Sequence, residues 1–483
     1  MKKITLVLFA VFLIGGNIWA QDFGFGFGDE EETSFNTGNA LSVSISGEAS
    51  ASIIGYISDF SDGPDHVRLG DIFSGKLNFA AGVSVADAFI NLNIAPTESP
   101  ISIDEAFVRA YFGNFEVEAG LRKLTWGKAD ALGPLDVINP LDYSELTDLS
   151  DIMKLKIPRP MAHLSYRIGN FSKIEGVFVP NFVPLRFAEE GRWRPSQMKQ
   201  LDDQKELLKE LKPVLESMGI DLPLPENIED MLVKPDTSAL DYAQGGIRFT
   251  TTIGSADIGA QYYYGRLTRP AVAMNFTPFQ LPPPLSSMSV PVPSSINYIY
   301  NPYHQIGIDW AQVLFGLNIR AEFAVNITED LAGDDGTVTN PHLAWSFGFD
   351  RNLFWNINFM VQCNETIRLM DSKVSHDPVQ FPSMPGLPSF PDFYTDIEGG
   401  TDITSTQIIA SLSKTFFRDQ LELRAAVFWE LESGDFMLVP SLTWTKDAVS
   451  VELSGGIFGG NAEGQFGQYK DNSFVKAALT YSF

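Results

Sequence analysis

The feature that most constrains this chain is a period-two pattern of apolar and polar residues, repeated along most of its length. In 421–431, Leu421, Leu423, Ala425, Val427, Trp429 and Leu431 fall on one face, opposite Glu422, Arg424, Ala426, Phe428 and Glu430. In 313–325, Val313, Phe315, Leu317, Ile319, Ala321, Phe323 and Val325 oppose a more polar set, and 353–361 alternates in the same way. Side chains of a strand point alternately to opposite faces, so such segments separate an apolar medium from a polar one. The pattern predicts strands over 41–57, 71–82, 86–95, 101–112, 115–124, 161–168, 173–180, 243–253, 256–266, 302–309, 313–326, 341–350, 353–364, 402–415, 420–431, 436–445, 448–458 and 473–483.

The connections sort by length. Short ones, among them Gly113-Asn114, Gly254-Ser255, 310–312, Arg351-Asn352 and Lys446-Asp447, follow even-numbered strands. Long ones, at 125–160, 181–242, 267–301, 327–340, 365–401 and 459–472, follow odd-numbered strands. Short connections at 96–100 and 432–435 are the exceptions. A soluble sandwich has no reason to sort its loops so, whereas membrane barrels place tight turns on one side and long loops on the other.

Residues 1–20 have the form of a secretory signal: Lys2 and Lys3, an apolar stretch from Ile4 to Ile14, and Ala20 before the cut. Beyond them no run of about 18 apolar residues occurs, so a spanning helix is not available. A closed barrel is the other way to satisfy every backbone group in lipid. The fold expected is therefore all-β: a transmembrane antiparallel outer-membrane barrel of about 18 strands, with 14 or 16 also open, and long outer loops carrying short helices. Residues 21–40, rich in glycine and acid, read as a mobile periplasmic tail, and 41–483 as a single barrel domain. The last strand places Val475, Ala477, Leu479, Tyr481 and Phe483 on one face. Its terminal Phe483, with Tyr481, resembles the assembly signal of bacterial outer-membrane barrels. That resemblance implies the barrel assembly machinery and outer-membrane lipid as partners.

A net charge of −26 argues against nucleic acid as a partner. The five histidines are dispersed and no triad or metal motif stands out, so neither an enzyme nor a cofactor is expected. Cys363 has no partner for an internal disulfide and reads as a packed or lipid-facing thiol.

A more specific signal lies in Asp104-Glu-Ala-Phe-Val-Arg-Ala-Tyr111 and in 121–145, where a strand ends in Trp126-Gly127 and a loop runs Asp136-Val-Ile-Asn-Pro-Leu-Asp142. Over roughly 101–160 the chain resembles the DUF1302-like porins, uncharacterised Gram-negative outer-membrane barrels. The resemblance implies a channel for small, hydrophobic solutes.

The loop supplies the first candidate site: Trp126, Asp136, Asn139 and Asp142 as a constriction. Asp142 and Glu145 have capping-box spacing, and Leu146, Leu149, Ile152 and Met153 repeat at helical intervals. A short amphipathic helix there could enter the barrel mouth or lie across neighbouring loops. Asp136, Asn139 and Asp142 carry oxygens, but turn and cap duties explain them better than a metal. The second candidate is the inward strand face, with Glu105, Arg109, Glu116, Glu118, Arg122, Arg167, Arg248, Arg320, Glu322, Arg424, Glu430 and Glu452. Of these Arg109, Arg122, Glu105 and Glu118 are the choice for lumen selectivity, against salt-bridged filling of a plugged lumen. The proline-rich segments 277–293 and 378–391 read as apolar outer loops, able to line an entrance or to pack on each other. Residues 196–218 read as a helix with a leucine stripe in the longest loop. Two functions fit: a channel for small solutes, or a surface-exposed adhesin or binding protein anchored by its barrel.

Overall fold

A computed structural model describes residues 41–58, 73–96, 99–148, 152–196, 231–280, 289–370 and 401–483, with a few isolated positions between them. The signal segment, the acidic tail, the 378–391 segment and nearly all of the 196–218 helix lie outside the described residues.

Eighteen strands form the wall. They are β1 (Ser42–Tyr56), β2 (Ser74–Val83), β3 (Ala86–Ile94), β4 (Ile101–Phe112), β5 (Phe115–Arg122), β6 (Arg159–Ile168), β7 (Ser172–Val179), β8 (Gln244–Ile253) and β9 (Ala256–Arg266). The second half comprises β10 (Pro302–Leu314), β11 (Leu317–Thr328), β12 (His342–Asn352), β13 (Asn358–Arg368), β14 (Thr404–Phe416), β15 (Leu421–Glu430), β16 (Asp435–Lys446), β17 (Val449–Gly459) and β18 (Phe474–Ser482). Each pairs antiparallel with its neighbours in sequence, and β18 returns to β1, from Glu48↔Ser482 to Tyr56↔Phe474. No edge remains open.

Two turns sit a few residues later than the alternation implied. β10 runs through Trp310 to Leu314, and the reversal is Phe315-Gly316, both with positive φ (54° and 74°). That is the two-residue geometry that matches strand twist. Trp310-Ala-Gln312 reads as a break only because a polar residue interrupts the run; Gln312 simply pairs with Ile319. Likewise β12 continues to Asn352, and the turn is Leu353–Ile357, where Trp355 and Asn356 adopt positive φ. Phe315, Phe354 and Trp355 stand exposed at these tips, aromatics at the rim of the apolar band.

Phe323, Leu442, Trp444, Leu453, Val475 and Leu479 are exposed on the outer surface, where lipid covers them. The inner surface is divided. Along β3–β12 it carries buried Asp87, Arg109, Glu118, His163, Glu175, Arg248, Asp309 and Glu322. Along β13–β18 and β1 it carries Met360, Ile409, Phe428, Met437, Phe458, Phe474 and Ile54, which form one buried apolar cluster with Leu146, Leu155, Trp193, Phe466 and Tyr469, beside buried Gln362, Ser411, Glu430 and Asp435 on the same strands.

The segment 277–293, read from sequence as loop, belongs in part to a hairpin outside the barrel. Ala271–Gln280 pairs antiparallel with Ser289–Ile299, and Leu232–Val233 adds in parallel. Pro278 faces Pro291, and the register shifts at Asn275/Phe276. Away from Leu232–Val233 this sheet is only two strands wide, and such edges tolerate proline because their outer N–H groups need no partner strand.

Candidate functional site

The connection from β5 to β6, residues 123–158, folds into the barrel and crosses to the far wall. It is tied at its base by Asn139. That side chain accepts from the Leu124 N–H at 2.8 Å and donates to the carbonyls of Arg122 (3.1 Å) and Ile157 (2.9 Å), clamping the two stems together.

At its tip the loop meets the inner face of β9–β13. The Glu322 carboxylate on β11 accepts from three loop N–H groups, Lys128, Ala129 (2.7 Å) and Leu135 (3.2 Å). Gln261 and Gln305 donate to the carbonyls of Leu135 and Pro134, each at 2.9 Å. On β13, Gln362 accepts from Ala131 N–H at 3.0 Å, while Gln362 and Asn364 both donate to Leu132. Backbone carried into a barrel needs such partners, since buried amide groups left unpaired are costly. Glycine is required where the chain passes closest. Gly127 has φ 102°, and a Cβ there or at Gly133 would land on the Glu322 carboxylate.

The constriction residues suggested by sequence take different parts in this arrangement. Trp126, only 2% exposed, stands edge-on to Tyr263 among Met161, Val177, Val179 and Tyr303. Asp136 is buried against Lys156, with Nζ–O distances of 2.7 and 2.9 Å. Asp142 pairs with Arg186 at 2.7 Å and accepts from Ser144 N–H at 3.0 Å. Asp136, Asn139 and Asp142 are thus committed to separate protein partners, and no cluster able to hold a metal occurs among the described residues.

The capping-box spacing does not produce a helix at Asp142. Asp142-Tyr143 instead pairs in parallel with Arg186-Phe187, and a 3-10 turn occupies Ile152–Leu155. The Asp142 side chain bonds two residues ahead, a local alternative to capping a helix, and the extended pairing holds it there. Leu146 and Leu155 still bury their side chains, against the apolar wall.

Two carboxyl groups in the loop are shifted from their ordinary range. Burial pushes Asp130 up to about 6, although its ion pair with Arg320 opposes the shift; nearby Asp350 adds to it. Burial also raises Asp136, against the pull of Lys156.

The four selectivity candidates lie together on β4 and β5. Arg109 Nε is 2.6 Å from Glu118, which also pairs with Arg122 and lies 2.7 Å from His163 Nδ1. His163 continues to Glu175 at 3.4 Å, and Glu175 to Lys173 at 2.8 Å. Both guanidiniums lie over Phe107, Arg122 at 4.5 Å from its centroid. A bulge beside Asn91 brings Glu105 and Asp104 to the same foot of the loop. Glu105 accepts from Lys123 N–H at 2.7 Å, and Asp104 pairs with its Nζ at 2.8 Å. The amides that seat the loop, Gln261, Gln305, Gln362 and Asn364, did not stand out in sequence. Their signal was polar, uncharged residues on the inward face of strands that run next to one another.

A closed 18-strand antiparallel wall with an apolar exterior, a divided interior and an inward-folded loop defines an outer-membrane β-barrel. A family model matches residues 95–483, and the chain belongs to that family, DUF1302, described as a protein of unknown function. No curated protein matches the sequence. Among solved structures the chain is similar to OccK3 (OpdO) of Pseudomonas aeruginosa, at 9% identity and TM-score 0.46, covering 91% of this chain and 95% of that one. It is also similar to OpdL of the same organism, at 9% identity and TM-score 0.45, covering 92% and 98%. A third is Wzi of Escherichia coli, described as a carbohydrate-binding β-barrel, at 11% identity and TM-score 0.41, covering 91% and 84%. Likeness of this degree says nothing about solute.

Proposed function

We propose that this barrel is a channel for small apolar solutes whose passage is narrowed by the 123–158 loop. The observation that carries the reading is the apolar inner wall of Met360, Ile409, Phe428, Met437, Phe458 and Phe474. Leu146 and Leu155 of the loop pack against this wall, so a solute that displaces them meets apolar side chains rather than charges. Burying one aromatic-sized group there is worth about 1.5–3 kcal/mol, enough to favour an apolar solute over a polar one. The opposite wall, with Arg109, Arg122, Glu105 and Glu118, serves small-ion selectivity in this reading. His163, a conceivable base, is held between Glu118 and Glu175, which suits structure and not catalysis. The test is uptake of a lipophilic fluorescent dye by cells with and without the protein, beside single-channel conductance of the purified barrel. Dye uptake that depends on the protein supports the channel. Equal uptake in both cells, together with attachment of the purified protein to other cells, would replace it with an anchored binding protein.

A further inference from the structure

The ladder between β16 and β17 is interrupted where the loop meets the apolar wall. The strands pair from Phe436↔Gly459 to Leu438↔Ile457, and again from Ser441↔Ser454 to Lys446↔Val449. Between these runs the register carries straight across, and what is lost at Val439, Pro440, Gly455 and Gly456 is the one hydrogen bond that the residue 440 nitrogen would donate to the Gly455 carbonyl. Pro440 is the cause: it has no N–H to donate, and proline is normally kept out of central strands. In a barrel wall, where lipid offers no replacement partner, a broken ladder is costly to keep.

Alternation along β16 and β17 puts Pro440 and Gly455 on the lipid side, between Leu442 and Leu453, and Val439 and Gly456 on the lumen side. Opposite the proline, two successive glycines bring no side chains; a Cβ at Gly455 would be 3.9 Å from the Pro440 ring and 2.9 Å from the Phe474 carbonyl oxygen, and at Gly456 the Phe474 ring occupies the place of the Cβ, so this ring is what must move for the seam to open. On the lumen side a small cleft lies against this stretch, walled by Leu146 and Asp148 of the loop and by Val439, Glu452, Ser454 and Phe474. Phe428, Met437 and Phe458 extend the apolar surface to its edge. Every other ladder between consecutive strands of the wall is continuous except for the bulge between β3 and β4.

We propose that the β16–β17 seam is a lateral passage between lumen and bilayer, taken by an elongated apolar molecule such as one bearing an acyl chain. The inference rests on the channel reading and adds the route. Parting two strands normally breaks a continuous ladder; here the ladder is already one hydrogen bond short at the parting point. The solute slides from the apolar inner wall, beside Phe474, between Pro440 and the paired glycines, and into lipid. A polar solute gains nothing from a mouth that opens on hydrocarbon.

The seam can be closed by changes confined to its two strands. Pro440→Ala restores the missing donor, and Ser441→Cys with Ser454→Cys, directly opposed one rung away, staples the strands when oxidised. The control staple is Ser450→Cys with Thr480→Cys between β17 and β18. Uptake of a pyrene-labelled fatty acid is measured in cells whose outer membrane carries each variant, with heat-modifiable mobility confirming a folded barrel. The expected result is loss of uptake with the oxidised β16–β17 staple and recovery on reduction. The control staple and ion conductance stay unchanged, and uptake falls in Pro440→Ala. Uptake that persists through the oxidised seam staple overturns the lateral route and leaves the channel standing. Uptake by the unstapled protein no greater than in cells lacking it overturns both.

Discussion

Phe483 and Gly47 exchange both backbone hydrogen bonds, N–H to carbonyl at 2.9 Å in each direction, so the last residue of the chain closes the barrel against its first strand. Gly47 makes room for the aromatic ring: a Cβ there would lie 2.8 Å from Phe483 Cζ and 2.6 Å from the Lys76 carbonyl oxygen. The Phe483 ring stacks on Tyr481, 6.3 Å between centroids. The two residues chosen from sequence for an assembly signal thus sit at the seam that must form for closure.

Deleting Phe483 removes two backbone bonds, worth about 1 kcal/mol each, and the ring that seats on Gly47. Gly47→Val should mimic part of this by forcing ring and backbone apart. Both should lower the yield of protease-resistant, heat-modifiable barrel, the deletion more than the substitution. Normal yield in both would dissociate closure from these two residues.

The Glu322 carboxylate is the seat of the inward loop. Glu322→Ala leaves the N–H groups of Lys128, Ala129 and Leu135 without their acceptor inside the barrel. Each hydrogen bond to a charged group contributes roughly 1.5–3 kcal/mol, so the loop should detach. Single-channel conductance should rise and protease should cut between residues 123 and 158. Glu322→Gln keeps an acceptor oxygen and should fall between. Gly127→Ala should reproduce the effect from the loop side, since its Cβ displaces the same carboxylate.

How much of this was legible in the sequence follows from the range of the interactions. Strand count and the sorting of tight turns from long connections are local properties, and alternation with connection length pointed to about 18 strands, with 14 or 16 left open; the wall has 18. Turn positions slipped where local composition misplaced the reversal: a polar Gln312 inside β10 read as a break, while apolar Phe315 and Trp355 at the true turns read as strand. The seat of the loop was hidden because its partners lie far away in sequence, 231 residues for Ala131 and Gln362. Glu322 was legible as an inward charge, yet nothing local connects it to the loop it holds. The helical spacing after Asp142 was a true local signal. The Arg186-Phe187 strand and the apolar wall overruled it.

Arg122 and Arg109 share one carboxylate, Glu118, on the charged wall. Arg122→Ala removes one positive charge and leaves Glu118 held by Arg109 and His163. Reversal potentials in a salt gradient should shift toward cations, and more at low ionic strength, where screening is weaker. Arg109→Ala should shift them the same way. No change in either would assign the ladder to structure alone.

Acid should hold the loop more firmly. Asp130 sits near pKa 6 when the loop is docked, against an ordinary value of 3.8. Its contribution to docking is therefore full below about pH 4 and is lost as pH rises through about 6. Arg320 pairs with it, and Asp350 lies beside that pair. Conductance should be lower at pH 5 than at pH 7.5, and Asp130→Asn should reduce the difference. A larger conductance at pH 5 in the unmodified protein would reverse the sign and refute the link.

The buried pair of Lys156 and Asp136 gives a sharper test of how the loop is held. Lys156 is fully enclosed, and its Nζ also donates to Thr125 Oγ1 at 2.6 Å. Lys156→Met leaves the Asp136 carboxylate enclosed without its cation, a loss of about 3–5 kcal/mol for a buried pair. The docked loop should become sensitive to protease, as with Glu322→Ala. Replacing both partners, Lys156→Met with Asp136→Leu, removes the stranded charge and should recover much of the protection, because an apolar pair of similar volume replaces a desolvated ionic one. If the double variant is as sensitive as the single, the pair acts through specific hydrogen bonding to Thr125 and not through charge compensation. Asp136→Asn separates the two: it keeps the shape, discharges the acid, and should leave Lys156 the less comfortable partner at neutral pH.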